Sequence, residues 1–258
     1  MGGRAVTAPR GRRRCALALA GAAAVAVAAH AGPATTAVGP VRRRFLPRLD
    51  GAGPPGRIAL TFDDGPDPES TPRFLDVLAA HRTRATFFVL GTMLVRSPWL
   101  AADLVAGGHE VAVHGWEHRN LLGRGPLATY RDLARTRALV EAATGRAPRF
   151  FRPPYGVLTG PALLASARLG LTPVLWTRWG RDWTAAATPD SVFDTVTARL
   201  AGGDTVLLHD ADCAAAPGAW RATLAALPRL LAECRRRGWT VGPLGAHGAS
   251  PPGPVPTP

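Results

Sequence analysis

Between residues 57 and 245, short apolar runs alternate with segments of helical periodicity, and this limits the fold more than any other feature. The apolar runs at 58–62, 86–90, 110–113, 150–151, 173–176, 205–209 and 239–241 read as strands. The spacing predicts helices near 71–81, 97–107, 127–143, 160–169, 190–201 and 219–237, stopped by glycines such as Gly145, Gly170 and Gly238. Such alternation is the pattern of an α/β fold with a parallel sheet. Periodicity alone leaves two forms open, a closed or nearly closed barrel and an open doubly wound sheet. In both, chemistry collects at the carboxyl ends of the strands. Asp63-Asp64, His114, Arg152 and His209 all fall at such ends, which argues for one shared site.

The flanks read differently. Arg4, Arg10, Arg12, Arg13 and Arg14 precede a run of Ala, Val, Leu and Gly over 15–29, and Ala29-His30-Ala31 has the form of a cleavage site. Residues 1–31 therefore read as a secretory signal peptide, with an uncleaved anchor as the alternative. The apolar run of about 15 residues falls short of the roughly 20 that span a bilayer, so no stable span is expected after cleavage. The expected location is extracellular or cell-wall associated. Residues 32–56 read as a linker and 246–258 as a disordered tail. Two cysteines, Cys213 and Cys234, remain after cleavage. In an oxidising compartment a disulfide between them is expected, with two separate thiols as the alternative.

The net charge of +13 invites a nucleic-acid reading. All 31 basic residues are arginines, and five lie in the leader; removing it leaves 26 basic against 18 acidic residues, or +8. The remainder is scattered, without a basic-aromatic pattern, so no nucleic-acid partner is expected. A modest attraction to anionic wall polymers remains.

The clusters carry chemistry. In Thr61-Phe62-Asp63-Asp64-Gly65-Pro66 two adjacent carboxylates point in different directions and can take different tasks. His114 and His118, four apart, share a face if they sit on a helical turn. With Asp64 they supply two nitrogens and one oxygen, which leaves positions open as a catalytic zinc site requires. Arg152, in a stretch stiffened by Pro153 and Pro154, can pair with a carboxylate. Trp179-Gly180-Arg181-Asp182-Trp183 places an acid between flat apolar rings, and His209 closes a buried strand.

Taken together over roughly 57–245, these segments resemble the NodB-homology domain of polysaccharide deacetylases, the fourth carbohydrate esterase family. Thr61–Pro66 is similar to the family's first motif and is highly specific. His114–His118, Arg152–Gly156, Asp182-Trp183 and the stretch ending in His209 follow the others in order. The resemblance implies a distorted (β/α) barrel of about seven parallel strands; separately, a monomer is expected. It implies that Asp63 is the general base and that Asp64, His114 and His118 hold Zn²⁺, or else Co²⁺ or Ni²⁺. By the same resemblance, Arg152 orients Asp63, and Tyr155 gives its backbone N–H to the oxyanion. His209 is the general acid, Asp182 tunes it, and Trp183 and Leu207 line the acetyl pocket. The implied substrate is N-acetylglucosamine in peptidoglycan or a chitin-like polymer. O-acetyl esters of xylan and an inactive carbohydrate-binding scaffold are the alternatives. Two positions depart from the pattern. Gly115 stands where the family usually has Ser or Thr, which is expected to loosen the second motif. Trp179 stands where it usually has Asp, which leaves Asp182 the only acid there and is expected to reshape the substrate groove.

Overall fold

Strand β1 (Arg57–Asp63) is buried from its second residue onward, because it lies in the middle of the sheet. A strand covered on both faces needs apolar or hydrogen-bonded side chains on both. Ile58, Leu60 and Phe62 face the helices, where Phe62 meets Phe74 edge-on at 5.2 Å and Phe87 stacked at 5.1 Å. Ala59, Thr61 and Asp63 face the opposite way. There Ala59 joins Phe88, Ala112, Phe150, Val174 and Leu244 in the interior of the curled sheet.

A computed structural model describes residues 10–248. The other strands are β2 (Thr86–Leu90), β3 (Glu110–Gly115), β4 (Phe150–Phe151), β5 (Thr172–Pro173), β6 (Arg178–Trp179), β7 (Thr205–His209) and β8 (Thr240–Gly242). All their pairings are parallel, in the order β5-β4-β3-β2-β1-β7-β6, with β8 beside the start of β1. The expected distorted barrel of parallel strands is therefore present, as a curled sheet whose edges are β5 and β6. The crossovers supply α3 (Thr71–Ala80), α4 (Gly91–Arg96), α5 (Trp99–Ala106), α6 (Pro126–Thr144), α7 (Gly160–Arg168), α8 (Pro189–Thr197) and α9 (Trp220–Arg236). Ahead of them lie α1 (Arg10–Ala31) and α2 (Gly39–Phe45).

Several expectations need correction. The strand expected at 173–176 stops at Pro173, and the short β6 follows it, so among the described residues the curled path holds seven strands, with β8 beside it. The helix expected at 97–107 begins at Trp99, after α4 and the Ser97-Pro98 break. Residues 32–56 are not a loose linker. They form α2 and two helical turns (Gly32–Ala37 and Pro47–Asp50), with Arg42, Leu49 and Asp50 buried. At the other end a turn at Leu244–Ala246 and the buried His247 belong to the folded body, so the tail does not begin at 246. The rest of that tail, like residues 1–9 of the leader, lies outside the described residues.

Helix α1 stands exposed, and Leu17–Ala37 is long and apolar enough to cross a membrane, longer than the run read from the sequence. Its end touches the body, where His30 Nε2 lies 3.0 Å from the Leu122 carbonyl oxygen. Cys213 and Cys234 are both free thiols, not a disulfide. Cys234 is buried near the far end of α9, about 21 Å of helix beyond Trp220. Cys213 lies at the strand ends with its Sγ 3.4 Å from the Asp64 carbonyl oxygen, and a bridge needs Cα atoms within roughly 7 Å.

Candidate active site

Side-chain alternation brings the polar residues to one place. Asp63 is the sixth residue after Arg57 and points into the curled sheet, as does His114 two residues beyond Ala112. In β7, Val206 and Leu208 join the helix-side core, so Leu207 and His209 face inward. Asp63 and His209 are direct partners in the β1–β7 register. The resulting pocket, about 250 Å³, is lined by eight residues expected from the sequence: Asp63, Asp64, His114, His118, Tyr155, Trp183, Leu207 and His209. Arg152 and Asp182 lie behind its wall, at 0% and 1% exposure.

Asp64, His114 and His118 offer one ligand atom each, all within 4.8 Å of one another. Asp64 leaves the strand with φ +81°, so its carboxylate turns away from that of Asp63. His114 Nε2 lies 3.4 Å and His118 Nε2 3.5 Å from Asp64 Oδ1. That oxygen is buried and accepts no hydrogen bond. His114 Nδ1 is 2.8 Å from the Arg152 carbonyl oxygen, which fixes the ring so that Nε2 faces the carboxylate. The two histidines do not share a helical turn as expected. His114 lies next to the end of β3, Gly115 ends it at φ +107°, and His118 returns from a loop.

The charges follow from these contacts. Burial alone pushes the Asp64 carboxyl up, but His114 and the neighbouring imidazoles outweigh it and hold it at about 2. Burial also opposes a charge on His114, yet Asp63 and Asp64 raise it. For His118, burial and the nearby His114 win, and the ring falls to about 4. A neutral His118 beside an ionised Asp64 is the state that donates to a metal ion.

Two further pairs flank this triad. Arg152 donates from Nη1 to Asp63 Oδ1 at 2.7 Å and to Thr61 Oγ1 at 2.8 Å. Its remaining bonds go to the carbonyls of Val174 at 3.3 Å and Leu175 at 2.7 Å, and its guanidinium lies 4.0 Å above the Phe88 ring. On the other side, His209 Nδ1 is 2.9 Å from Asp182 Oδ1, while Asp182 Oδ2 accepts from the His209 backbone N–H and from Thr223 Oγ1. Burial opposes the His209 charge, but Asp182 overcomes it and lifts the imidazole to about 10. The same ion pair lowers Asp182, against its own burial.

The departures have structural answers. The Gly115 backbone conformation is one that L side chains rarely adopt, and an added Cβ would lie 3.2 Å from Asp132 Oδ1. Asp132 accepts from the Trp116 N–H at 2.9 Å and lies 3.3 Å from Arg124, while Arg135 covers the Trp116 ring at 3.4 Å. The loop is thus tied from α6, contrary to the loosening expected. Trp179 stacks with Trp176 at 6.0 Å and meets Trp183 at 5.0 Å, which forms an aromatic wall that ends on His209. Tyr155, at φ +59°, faces this wall and packs edge-on against His118 at 4.4 Å. Sequence reading missed Thr61, Asp132, Trp176 and Thr223. Each is an ordinary residue type in its segment and becomes notable only through a distant partner.

A family model for polysaccharide deacetylases matches residues 50–174. The chain is 40% identical over 197 residues to a chitooligosaccharide deacetylase of Bradyrhizobium sp. (strain ANU 289), covering 72% of this chain and 88% of that protein. It is 35% identical over 176 residues to the peptidoglycan-N-acetylglucosamine deacetylase PgdA of Listeria monocytogenes serotype 1/2a, covering 66% of this chain but 37% of that protein. Among solved structures, a family 4 carbohydrate esterase from Streptomyces lividans in complex with acetate aligns with a TM-score of 0.65 at 34% identity, covering 72% of this chain and 92% of that one.

Proposed function

This chain belongs to the polysaccharide deacetylase family, and on that premise we propose that it is an exported, metal-dependent N-deacetylase of an N-acetylglucosamine polymer, peptidoglycan or chitin-like. It is a hydrolase of carbon–nitrogen bonds other than peptide bonds. The observation that carries the finer reading is the placement of two proton-handling pairs, Asp63–Arg152 and His209–Asp182, around one N,N,O donor triad.

The triad fits a zinc-type ion. Asp64 Oδ1 is a buried acceptor without a donor, and two imidazole Nε2 atoms converge on it. Asp64, His114 and His118 would hold Zn²⁺, Co²⁺ or Ni²⁺. Bound there, the ion supplies Lewis-acid polarisation of the acetyl carbonyl and lowers the pKa of water. The remaining work falls to the chain. Arg152 engages Asp63 Oδ1 and leaves Oδ2 to take the proton of the attacking water. The Tyr155 backbone N–H serves the developing oxyanion. Asp182 holds His209 Nδ1, so Nε2 presents a proton to the leaving amine. An amine is a poor leaving group until it is protonated, and an imidazolium lifted to about 10 stays charged at neutral pH. Trp183 and Leu207 enclose the acetyl methyl, and the wall of Trp176, Trp179 and Trp183 offers flat apolar faces to sugar rings.

Export rests on the basic residues followed by the exposed apolar α1, as a signal peptide or as an anchor. The deciding experiment is acetate release by the zinc-loaded chain from chitooligosaccharides, peptidoglycan and acetylxylan, with a chelator control. Chelator-sensitive release from an N-acetylated polymer is expected. Release from acetylxylan alone would move the reading to an O-acetyl esterase, and none at all to an inactive binding scaffold.

A further inference from the structure

The segment 174–176 is irregular, yet it shapes the site. It follows β5 and precedes β6 without joining either strand. A backbone outside the ladder needs other partners for its polar groups. Arg152 takes the Val174 and Leu175 carbonyls on one side. On the other side lies the strap formed by residues 36–50. Leu49 gives its carbonyl oxygen to the Leu175 N–H at 2.7 Å. Arg42 donates from Nη2 to the Trp176 carbonyl and from Nη1 to the Thr36 carbonyl, both at 2.8 Å, while its Nε pairs with Asp50. Arg42 and Asp50 are 5% and 4% exposed.

One peptide group, Val174–Leu175, is thus gripped twice: its N–H by the strap and its C=O by Arg152. A guanidinium points where its acceptors stand. Besides Asp63, Arg152 has three acceptors, and two of them belong to the segment the strap holds. The next residue, Trp176, forms the pocket wall, and its ring packs so closely on Gly156 that an added Cβ would lie 2.7 Å away.

We propose that the 36–50 strap is a positioning element of the active site: through Arg42 and Leu49 it holds the 174–176 backbone that aims Arg152 at Asp63 and seats the Trp176 wall. Arg42 is the positioning residue. The proposal rests on the deacetylase reading. The strap begins beyond Ala31, so loss of the leader would leave it in place.

The test uses the full, zinc-loaded chain. Arg42→Lys keeps a cation beside Asp50 but lacks the fork that reaches Thr36 and Trp176 together. The thermal midpoint and zinc content should stay near wild type. kcat on an N-acetylated chitooligosaccharide should fall about tenfold or more, with KM changed by less than about threefold. The Leu175 amide should exchange at least about tenfold faster. Arg43→Met, at an exposed neighbour on α2, should change none of these. Should Arg42→Lys not fold, the pair Arg42→Met with Asp50→Asn removes both charges together and is read the same way. A folded strap variant with wild-type kcat overturns the proposal and leaves the strap a stability element. A wild-type chain that releases no acetate sinks the deacetylase reading instead. The strap's grip on 174–176 then stands or falls on Leu175 exchange alone.

Discussion

Asp182→Asn isolates the acid half of the site. Asn keeps the shape, and one oxygen can still accept from the His209 N–H and Thr223 Oγ1, as Oδ2 does now. The amide NH₂ then faces His209 Nδ1, where Asp182 Oδ1 accepts at 2.9 Å. Nδ1 must become an acceptor, and burial acts on the imidazolium against only the weaker pull of Asp64 and Asp63. His209 should fall from about 10 to below its usual 6.5. That gap corresponds to ~5 kcal/mol of preference for the charged form. At pH 7 the ring would change from cation to neutral, and loss of general-acid help costs roughly 10²- to 10⁴-fold in rate. The assay compares kcat on an N-acetylated chitooligosaccharide with kcat on 4-nitrophenyl acetate, whose leaving group needs no proton. The amide rate should collapse and the ester rate should fall far less. The pair also sets a stability window. A raised histidine stabilises fully below about pH 6.5, and the effect is lost as pH rises through about 10. The variant should therefore be less stable than wild type at pH 6–8, with the difference closing towards pH 10. Equal losses on amide and ester, or amide turnover within a few-fold of wild type, would refute the acid role.

Asp63→Asn should nearly abolish turnover while zinc, measured by elemental analysis after dialysis, remains bound. Near-wild-type kcat would remove Asp63 from the role of base. His114→Ala should lose the zinc, because one Nε2 of the triad is gone; a stoichiometric zinc content would refute the ligand set. Gly115→Ala forces a side chain into φ +107° against Asp132, and a loss of about 1–2 kcal/mol by urea unfolding is expected. Unchanged stability would show that the loop relaxes.

Much of the site was legible because strand alternation is local. Asp63, His114 and His209 each share the parity of small or apolar residues that face inward, so their convergence follows from the strand pattern once the sheet curls. The elements that failed were those whose partners are remote. Segment 173–176 has strand-like composition, but its carbonyls are taken by Arg152 and Arg42 in place of a strand ladder. Residues 32–56 have linker composition, yet the buried Arg42 and Leu49 tie them to the body through the Trp176 carbonyl and the Leu175 N–H. The Cys213–Cys234 pairing failed because an oxidising compartment favours a disulfide only where the chain brings two thiols together, and the length of α9 separates Cys234 from the strand ends.

The chemistry is legible in the residues alone: which carboxylates, imidazoles and guanidinium are present, and that they fall at successive strand ends. Residue type and spacing carry that information, since a parallel sheet presents its strand ends together. How the groups are held follows from long-range packing. It tied Arg152 to the Val174 and Leu175 carbonyls and Asp182 to Thr223, set an aromatic wall at Trp179, and tied the Gly115 loop through Asp132. Those contacts join residues tens of positions apart, and no local pattern encodes them.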